Sequence, residues 1–373
     1  MKFILLIIVL FSALNLQPEI NSRTFKSSAD STDKSSADYD GPYIFYRNNN
    51  IIVKQIIKNE SGYTVIPDTL SETGNINFYS QVNDTFTFFF GLKDKINIEP
   101  CFFENPDKLI AISDIEGNFF ALYDFLLNNN VIDINNNWTF GNGHLVLAGD
   151  FFDRGLNVTE CLWFIYYLEQ EAVKHGGYVH FILGNHEIMN MSGDLRYVRN
   201  KYFENCKLMN EDYSSLYKPD TELGRWLSSK NVAEKIGNYL FVHGGISPEL
   251  DSISNSLEII NSAAREYYFS SKAAKQSGDK LHNILYSGKF SPFWYRGYIK
   301  QTITEPELDK IISNFEVSTI IVGHTIVEDV KSFYNGKVIG IDTDHAGGDT
   351  EGLLIEDGKY YRTNIQGNRI ELK

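Results

Sequence analysis

The sequence predicts an α/β protein, and three observations carry that reading. From Lys108 onward, short apolar strands alternate with helical stretches: Leu109 to Ser113, Phe119 to Leu127, Leu145 to Gly149, Thr159 to Lys174 and Tyr178 to Leu183. Such alternation builds a sheet that gathers ligands at the carboxyl ends of its strands. Several of these strands end in acids, amides or imidazoles: Asp114-Ile-Glu116-Gly117, Gly149-Asp150-Phe-Phe-Asp153-Arg154-Gly155, Gly184-Asn185-His186-Glu187, Val242-His243-Gly244-Gly245 and Val322-Gly323-His324-Thr325. Finally, a chain of 373 residues with 43% apolar and 14% aromatic content buries a large core, enough for one big domain or one with an appendage.

In chain order, Met1-Lys2 and the apolar run Phe3 to Leu14 are too short to span a bilayer comfortably. Residues 1–22 read as a secretory signal, which places the mature protein outside the cytoplasm, secreted or periplasmic. The alternative is an uncleaved N-terminal anchor, the one route to a membrane. Residues 23–40 repeat Lys-Ser-Ser-Ala-Asp twice and read as a disordered linker with almost nothing to bury. Residues 41–100 are β-rich, with Tyr43 to Tyr46, Ile51 to Val53 and the alternating Phe86-Thr87-Phe88 separated by Asn and Gly turn signals. They predict a small sheet packed on the main domain, residues 101–373. Two longer stretches, about Asn190 to Lys230 and Asn255 to His282, interrupt the rhythm as helical or irregular insertions placed to roof the site.

The formal charge of −14 argues against nucleic acid as the main partner, because an acidic surface repels phosphate backbones. Cys101, Cys161 and Cys206 lack the paired spacing of a zinc or redox motif and read as buried thiols. His144, His175, His180 and His282 match no motif and read as solvent or core residues. His345, in Asp342-Thr-Asp344-His345, follows a strand near the expected site and reads as a polar turn. Asp194 and Arg196 read either as orienting the roof or as a simple internal salt bridge.

Taken singly, each strand-end cluster is weak: a lone aspartate is often a helix cap, a lone buried histidine a satisfied core residue. Five in order are another matter. Carboxylates, an amide oxygen and imidazoles on the lips of neighbouring strands suit a binuclear cation site of mixed oxygen and nitrogen ligands.

The clusters SDIEG, GDFFDRG, GNHE, HGG and GHT resemble the calcineurin-like metallophosphoesterases of the phosphoprotein phosphatase type, whose pattern is GDxHG, GDxxDRG, GNHE, HGG and a later histidine. The tracts Gly184 to Val198, GNHEIMNMSGDLRYV, and Phe293 to Tyr298, FWYRGY, are similar to the Shewanella-like protein phosphatase branch. The resemblance covers about Lys108 to Asn364. It implies a four-layer α/β/β/α sandwich, with helical insertions and a small N-terminal β-rich extension, that hydrolyses phosphomonoesters by attack of a metal-bridging hydroxide. Asp114 and Glu116 would hold the first metal, Asp150 would bridge, and Asn185, His243 and His324 would hold the second. His186, oriented by Asp153, would be the general acid, and Arg154 and Arg296 would grip the phosphate.

One ligand position departs from the pattern: Glu116 stands where the family has histidine, and Gly323-His324-Thr325-Ile326 lacks the second histidine some relatives use at the first metal. An all-carboxylate first site favours Mn²⁺, with iron, Mg²⁺ or Zn²⁺ as alternatives. The partner expected is a phosphorylated substrate. Two rival functions stay open, a nucleotide or dinucleoside polyphosphate hydrolase on the same fold and a non-catalytic surface binding protein.

Overall fold

The structure, a computed structural model, describes residues 37–71 and 76–372. The predicted signal over 1–22 and the linker up to residue 36 lie outside the described residues. Ordered chain is in place where the predicted linker ends: the first strand, Asp40–Arg47, begins with a buried acid, and Tyr39 before it is buried too.

Two six-stranded sheets face each other. In the first, Lys108–Ile112 runs parallel to His144–Leu147, which runs parallel to Tyr178–Phe181. The antiparallel strands Glu351–Glu356, Lys359–Asn364 and Arg369–Glu371 extend it on one side. In the second, Tyr239–Val242, Thr319–Val322 and Val338–Gly340 are parallel. Ala233–Ile236, Phe102–Phe103 and Lys331–Phe333 complete that sheet.

The layering follows from the two-residue period of a strand, in which successive side chains point to opposite faces. Leu109, Ala111, Val146, Leu353 and Ile355 pack against Phe241, Ile321 and Ile339 from the opposite sheet, and so form the seam between the two. The alternate residues Ile110, Ile112, Leu145, Leu147, Ile320 and Val322 belong instead to the core shared with the helices, among them Phe164, Leu168, Ile260 and Leu308. Both faces of each parallel strand are therefore dry. That is why these strands read as continuous apolar runs rather than alternating ones. Helix Val158–Lys174 and helices Leu257–Arg265 and Glu305–Phe315 supply the outer layers, giving the predicted α/β/β/α order.

The β-rich front is a three-stranded antiparallel sheet, Asp40–Arg47, Asn50–Asn59 and Gly62–Leu70, with a hairpin of Asn77–Gln81 and Thr87–Gly91. It packs on the back of Val158–Lys174. Phe90 stacks on Trp163 with ring centroids 4.4 Å apart, and the Trp163 indole N–H donates to the Pro42 carbonyl at 2.8 Å. The two insertions carry short helices, Asn200–Met209 and Glu222–Ser228 in the first, Leu257–Arg265 and Ser271–Ala274 in the second. All three cysteines are buried free thiols, as predicted.

Candidate active site

Three parallel strands from each sheet end at one rim, where an open cavity of about 670 Å³ lies. Ile112 leads to Asp114, Leu147 to Asp150 and Phe181 to Asn185 in one sheet. Val242 leads to His243 and Val322 to His324 in the other. Turning that sharply puts side-chain-bearing residues in the left-handed region: Asp114 at φ 53°, Glu116 at 48°, Asp150 at 60°, Asp153 at 69°, Arg154 at 53° and His324 at 65°. Left-handed backbone disfavours residues with a Cβ and is held only where surrounding contacts over-determine it. Two glycines show how tight those contacts are. A Cβ on Gly149 would lie 2.6 Å from His243 Nδ1, and one on Gly184 would lie 2.2 Å from Asp150 Oδ1.

The donor atoms of Asp150, His243 and His324 lie within 4.8 Å of one another, a spacing one cation spans. The His243 ring is set by its Nδ1–H, which donates to the Ala148 carbonyl at 2.8 Å, and this turns Nε2 toward Asp150 Oδ2 at 3.1 Å. Such fixing of the tautomer by the far nitrogen is how imidazole ligands are presented. Asn185 Oδ1 sits 3.1 Å from His243 Nε2 and 2.8 Å from His324 Nδ1. Turned nitrogen-inward, the amide donates to both rings; turned oxygen-inward, it offers a ligand oxygen to a cation among them. The residues present therefore fit a metal ion. Burial disfavours charge on His243, but Asp150 and Asp114 outweigh it and hold its pKa up to about 10 in the cation-free chain. Burial likewise opposes ionisation of Asp150, yet the neighbouring His243 and His186 pull it well below the usual carboxylate range.

The second half of the cavity is organised differently. Glu116 groups with Asp150 and His186 within 4.8 Å, and Asp114 belongs to neither compact triple. Asp114 Oδ2 accepts the backbone N–H of His324 at 3.1 Å, and Glu116 Oε1 is paired with Arg154. Burial raises both acids, Asp114 to about 6 and Glu116 to about 8, with the Asp150 charge adding to it and His243 or Arg154 opposing. His186 donates from Nδ1 to Asp153 Oδ2 at 2.6 Å, leaving Nε2 at 3.8 Å from Asp150 Oδ2. Burial lowers its basicity, but Asp150 and Asp153 prevail and carry the pKa to about 9. Arg296 lines the cavity half-buried, its Nη1 donating to the His324 carbonyl at 2.6 Å and to Thr325 Oγ1 at 3.2 Å. It braces the loop that carries His324 from a separate segment of chain and faces the cavity.

All ten sequence-predicted site residues thus meet at one rim. Four other residues there were given no role by the sequence. Glu187 accepts from the backbone N–H groups of Gly184 at 2.6 Å, Asp150 at 2.9 Å and Phe151 at 2.7 Å, locking two motif loops together. The GNHE motif contained it, but nothing local said where its carboxylate reaches. Tyr197 stands at the rim with its ring centroid 5.3 Å from that of His186 and 5.3 Å from the Arg154 guanidinium. Asp342 and His345 also line the cavity, each only 4% exposed. His345 is thus not a plain polar turn, and burial drops its pKa to about 4. Burial and the charge of Asp114 push the Asp342 carboxyl up to about 9. Asp194 and Arg196 form the internal salt bridge, two contacts of 2.8 Å, beside an adjoining cavity of about 270 Å³ that both insertions help to line.

A model of the calcineurin-like phosphoesterase family matches residues 108–328, more than half of the chain, and the chain belongs to that family. Within it, the branch is that of the Shewanella-like protein phosphatases. Shewanella-like protein phosphatase 2 of Arabidopsis thaliana is 27% identical over 298 residues, 67% of this chain and 74% of that protein. Shewanella-like protein phosphatase 1 of Plasmodium berghei is 28% identical over 275 residues, 67% and 72%. The crystal structure titled as a cold-active protein-tyrosine phosphatase of a psychrophilic Shewanella species superposes with a TM-score of 0.82 at 37% identity, covering 90% of this chain and all of that one. That span takes in residues of the β-rich front, so the likeness extends beyond the stretch whose motifs signal it. The chain is a hydrolase acting on phosphoric ester bonds, and its family implies divalent metal ions and phosphorylated substrates.

Proposed function

We propose that this protein is an exported phosphatase that hydrolyses phosphomonoesters, phosphoproteins among them, with two cations, Mn²⁺ foremost. The observation that carries this reading is the convergence of Asp150, Asn185, His243 and His324 on one point beside the His186–Asp153 pair. Asp150, Asn185, His243 and His324 hold one cation, and Asp114, Glu116 and Asp150 the other. When bound, the pair would lower the pKa of water to supply a hydroxide nucleophile and would neutralise charge growing on the phosphoryl oxygens.

The protein's own groups do the rest. His186 holds a proton on Nε2 for the departing oxygen, while Asp153 on Nδ1 fixes the ring's direction and favours its charged form. Arg154 and Arg296, both on the cavity wall, grip phosphate oxygens with the donors that Glu116 and His324 leave free. An aryl leaving group finds an aromatic rim in Tyr197, 40% exposed, and Trp294. That rim, together with the tyrosine phosphatase activity named for the Shewanella relative, favours phosphotyrosine over alkyl phosphates.

The test compares an aryl phosphate, a phosphotyrosine peptide, a phosphoserine peptide and nucleotide phosphoanhydrides on Mn²⁺-loaded protein. Faster turnover of the anhydrides would replace this reading with that of a nucleotide hydrolase, and no turnover of any would leave a binding protein. Export is tested separately by mass spectrometry of the native protein: a mature chain lacking the first ~13 to 22 residues is expected, and an intact Met1 would mean an anchor.

A further inference from the structure

Six parallel strands, three in each sheet, end at the cavity, and five of them deliver the groups assigned above. The sixth, Val338–Gly340, lies beside Thr319–Val322 and runs with it, so its carboxyl end opens on the same rim as His324. Just past that end stands Asp342. It is 4% exposed and lines the cavity together with Asp114, Glu116 and Asp150. Among the described residues no group donates a hydrogen bond to its carboxylate. Its backbone is pinned, since the Asp342 carbonyl accepts the Val327 N–H at 2.8 Å and the neighbouring Ile341 N–H donates to Val322 at 2.9 Å.

Burying a carboxyl group without a donor costs several kcal/mol, more so among other acids, and buried charges are as a rule paired or bound to metals. The other acids here have partners: Glu116 has Arg154, Asp114 has the His324 N–H, and Asp150 has His243 and the His186 N–H. Asp342 is aimed at the same space with none. Glu116 is also the one ligand position that departs from the family pattern, and Arg154 already occupies it. A hard oxygen donor from the opposite sheet would make up the shell of a Mn²⁺-type ion on that side.

We propose that Asp342 is an oxygen ligand of the first cation, adding to the carboxylates of Asp114, Glu116 and Asp150 that share the cavity. The inference rests on the two-cation reading, and one experiment separates them. The full mature chain is stripped with chelator and titrated with Mn²⁺, read by calorimetry and by the electron paramagnetic resonance signal of free Mn²⁺, with no substrate present. Native protein is expected to take two ions, one tight and one weaker. Asp342→Asn should keep the tight ion within about 2-fold and weaken the other by at least ~10-fold, the least that ligand-shell losses cost. Asp342→Glu, which restores the charge, should retain the weaker ion better than Asp342→Asn.

If the native chain binds a single ion, the two-cation reading fails and takes this inference with it. If the native chain binds two and Asp342→Asn binds both with unchanged affinity, this inference alone is overturned. Thermal melts of the cation-free proteins guard against misfolding. Asp342→Asn should melt no lower than native, because it removes an unpaired buried acid. A lower melting temperature, with Asp342→Glu losing the ion to the same degree, would make Asp342 a packing residue and overturn the assignment.

Discussion

The two halves of the cavity are built from different donors, and they differ in how far the protein alone assembles them. On the imidazole side, Asp150, Asn185, His243 and His324 are in place without an ion, because His243 carries a proton and pairs with Asp150, while the uncharged His324 ring and the amide approach that pair at little electrostatic cost. On the carboxylate side, Asp114, Glu116 and Asp342 share the space but form no compact triple with one another, and each is raised above its ordinary pKa. Like charges buried together repel, and without a cation the chain answers by holding protons and by recruiting Arg154. A preformed half and an ion-assembled half imply unequal affinities, and each expected outcome below bears on that difference.

The largest effect belongs to the shared and preformed ligands. Asp150→Ala and Asn185→Ala should lose bound metal and reduce turnover by more than the ~10²–10⁴ attributable to one positioned acid. Elemental analysis of the purified variants checks this, and full metal content in Asp150→Ala would break the comparison outright. Next comes His186→Ala. It should keep its metal and lose ~10²–10⁴ in rate, with a smaller loss for phenyl esters that leave without help. Metal loss equal to that of Asp150→Ala would make His186 a ligand instead.

Changing the character of the carboxylate half sharpens the contrast. Glu116→His should tighten zinc binding at the weaker site by ~10-fold or more, since imidazole suits Zn²⁺ better than another carboxylate does. It should also move the pH optimum downward, and competition titration of Zn²⁺ against Mn²⁺ reads the affinity directly. Arg296→Ala should weaken inhibition by free phosphate by ~10-fold and raise KM, the loss of one charge-assisted contact worth about 1.5–3 kcal/mol. Unchanged phosphate inhibition would confine Arg296 to holding the His324 loop.

The mildest expected effect is on stability. In the cation-free chain Asp114, Glu116 and Asp342 hold protons up to about 6, 8 and 9, whereas unfolded carboxyls release them near ~4. Through these three acids the folded state carries more protons across that window, and their contribution to stability falls as pH rises from ~4 to ~9, opposed below ~6.5 by His345, which burial holds to about 4. His186, held to about 9 against ~6.5 unfolded, acts in the same direction: its contribution is whole below ~6.5 and lost on passing through 9. Melting temperatures of the chelated protein from pH 5 to 9 should decline, and saturating Mn²⁺ should flatten the slope. A cation-free chain that melts independently of pH would mean these acids are not crowded in solution.

What could be seen in the sequence follows the same divide. Asp150, Asn185, His186 and His243 stand in short motifs where the strand, the turn and the ligand are contiguous, so local pattern is enough to place them. Asp342 could not be singled out, because an acid between a strand and a threonine reads like any strand-end cap until the neighbouring strand is known to run parallel. Glu187 sat within a recognised motif, yet its three backbone partners come from two separate loops, a relation no spacing reveals. The pairing of Glu116 with Arg154 was hidden for a similar reason: the two residues are far apart in sequence and meet only because both loops turn through left-handed backbone. The α/β class was legible from the alternating apolar runs and the four layers only through the family resemblance, whereas the β-rich front was legible only as strands, since its docking depends on aromatic faces contributed by a distant helix.

That docking limits how the chain can be dissected. Helix Val158–Lys174 starts directly behind the loop bearing Asp153 and Arg154, and Asn157, at its N-terminus, donates its N–H to the Gly117 carbonyl at 3.0 Å. Phe90, Pro42 and Tyr43 grip the opposite flank of the same helix through Trp163 and Thr159. A minimal catalytic fragment cut at Cys101 would thus leave an aromatic stripe wet and the loop bearing Asp153 and Arg154 braced from one side only. Any graft or shortened expression unit has to carry residues 40–91 along with the enzyme they support.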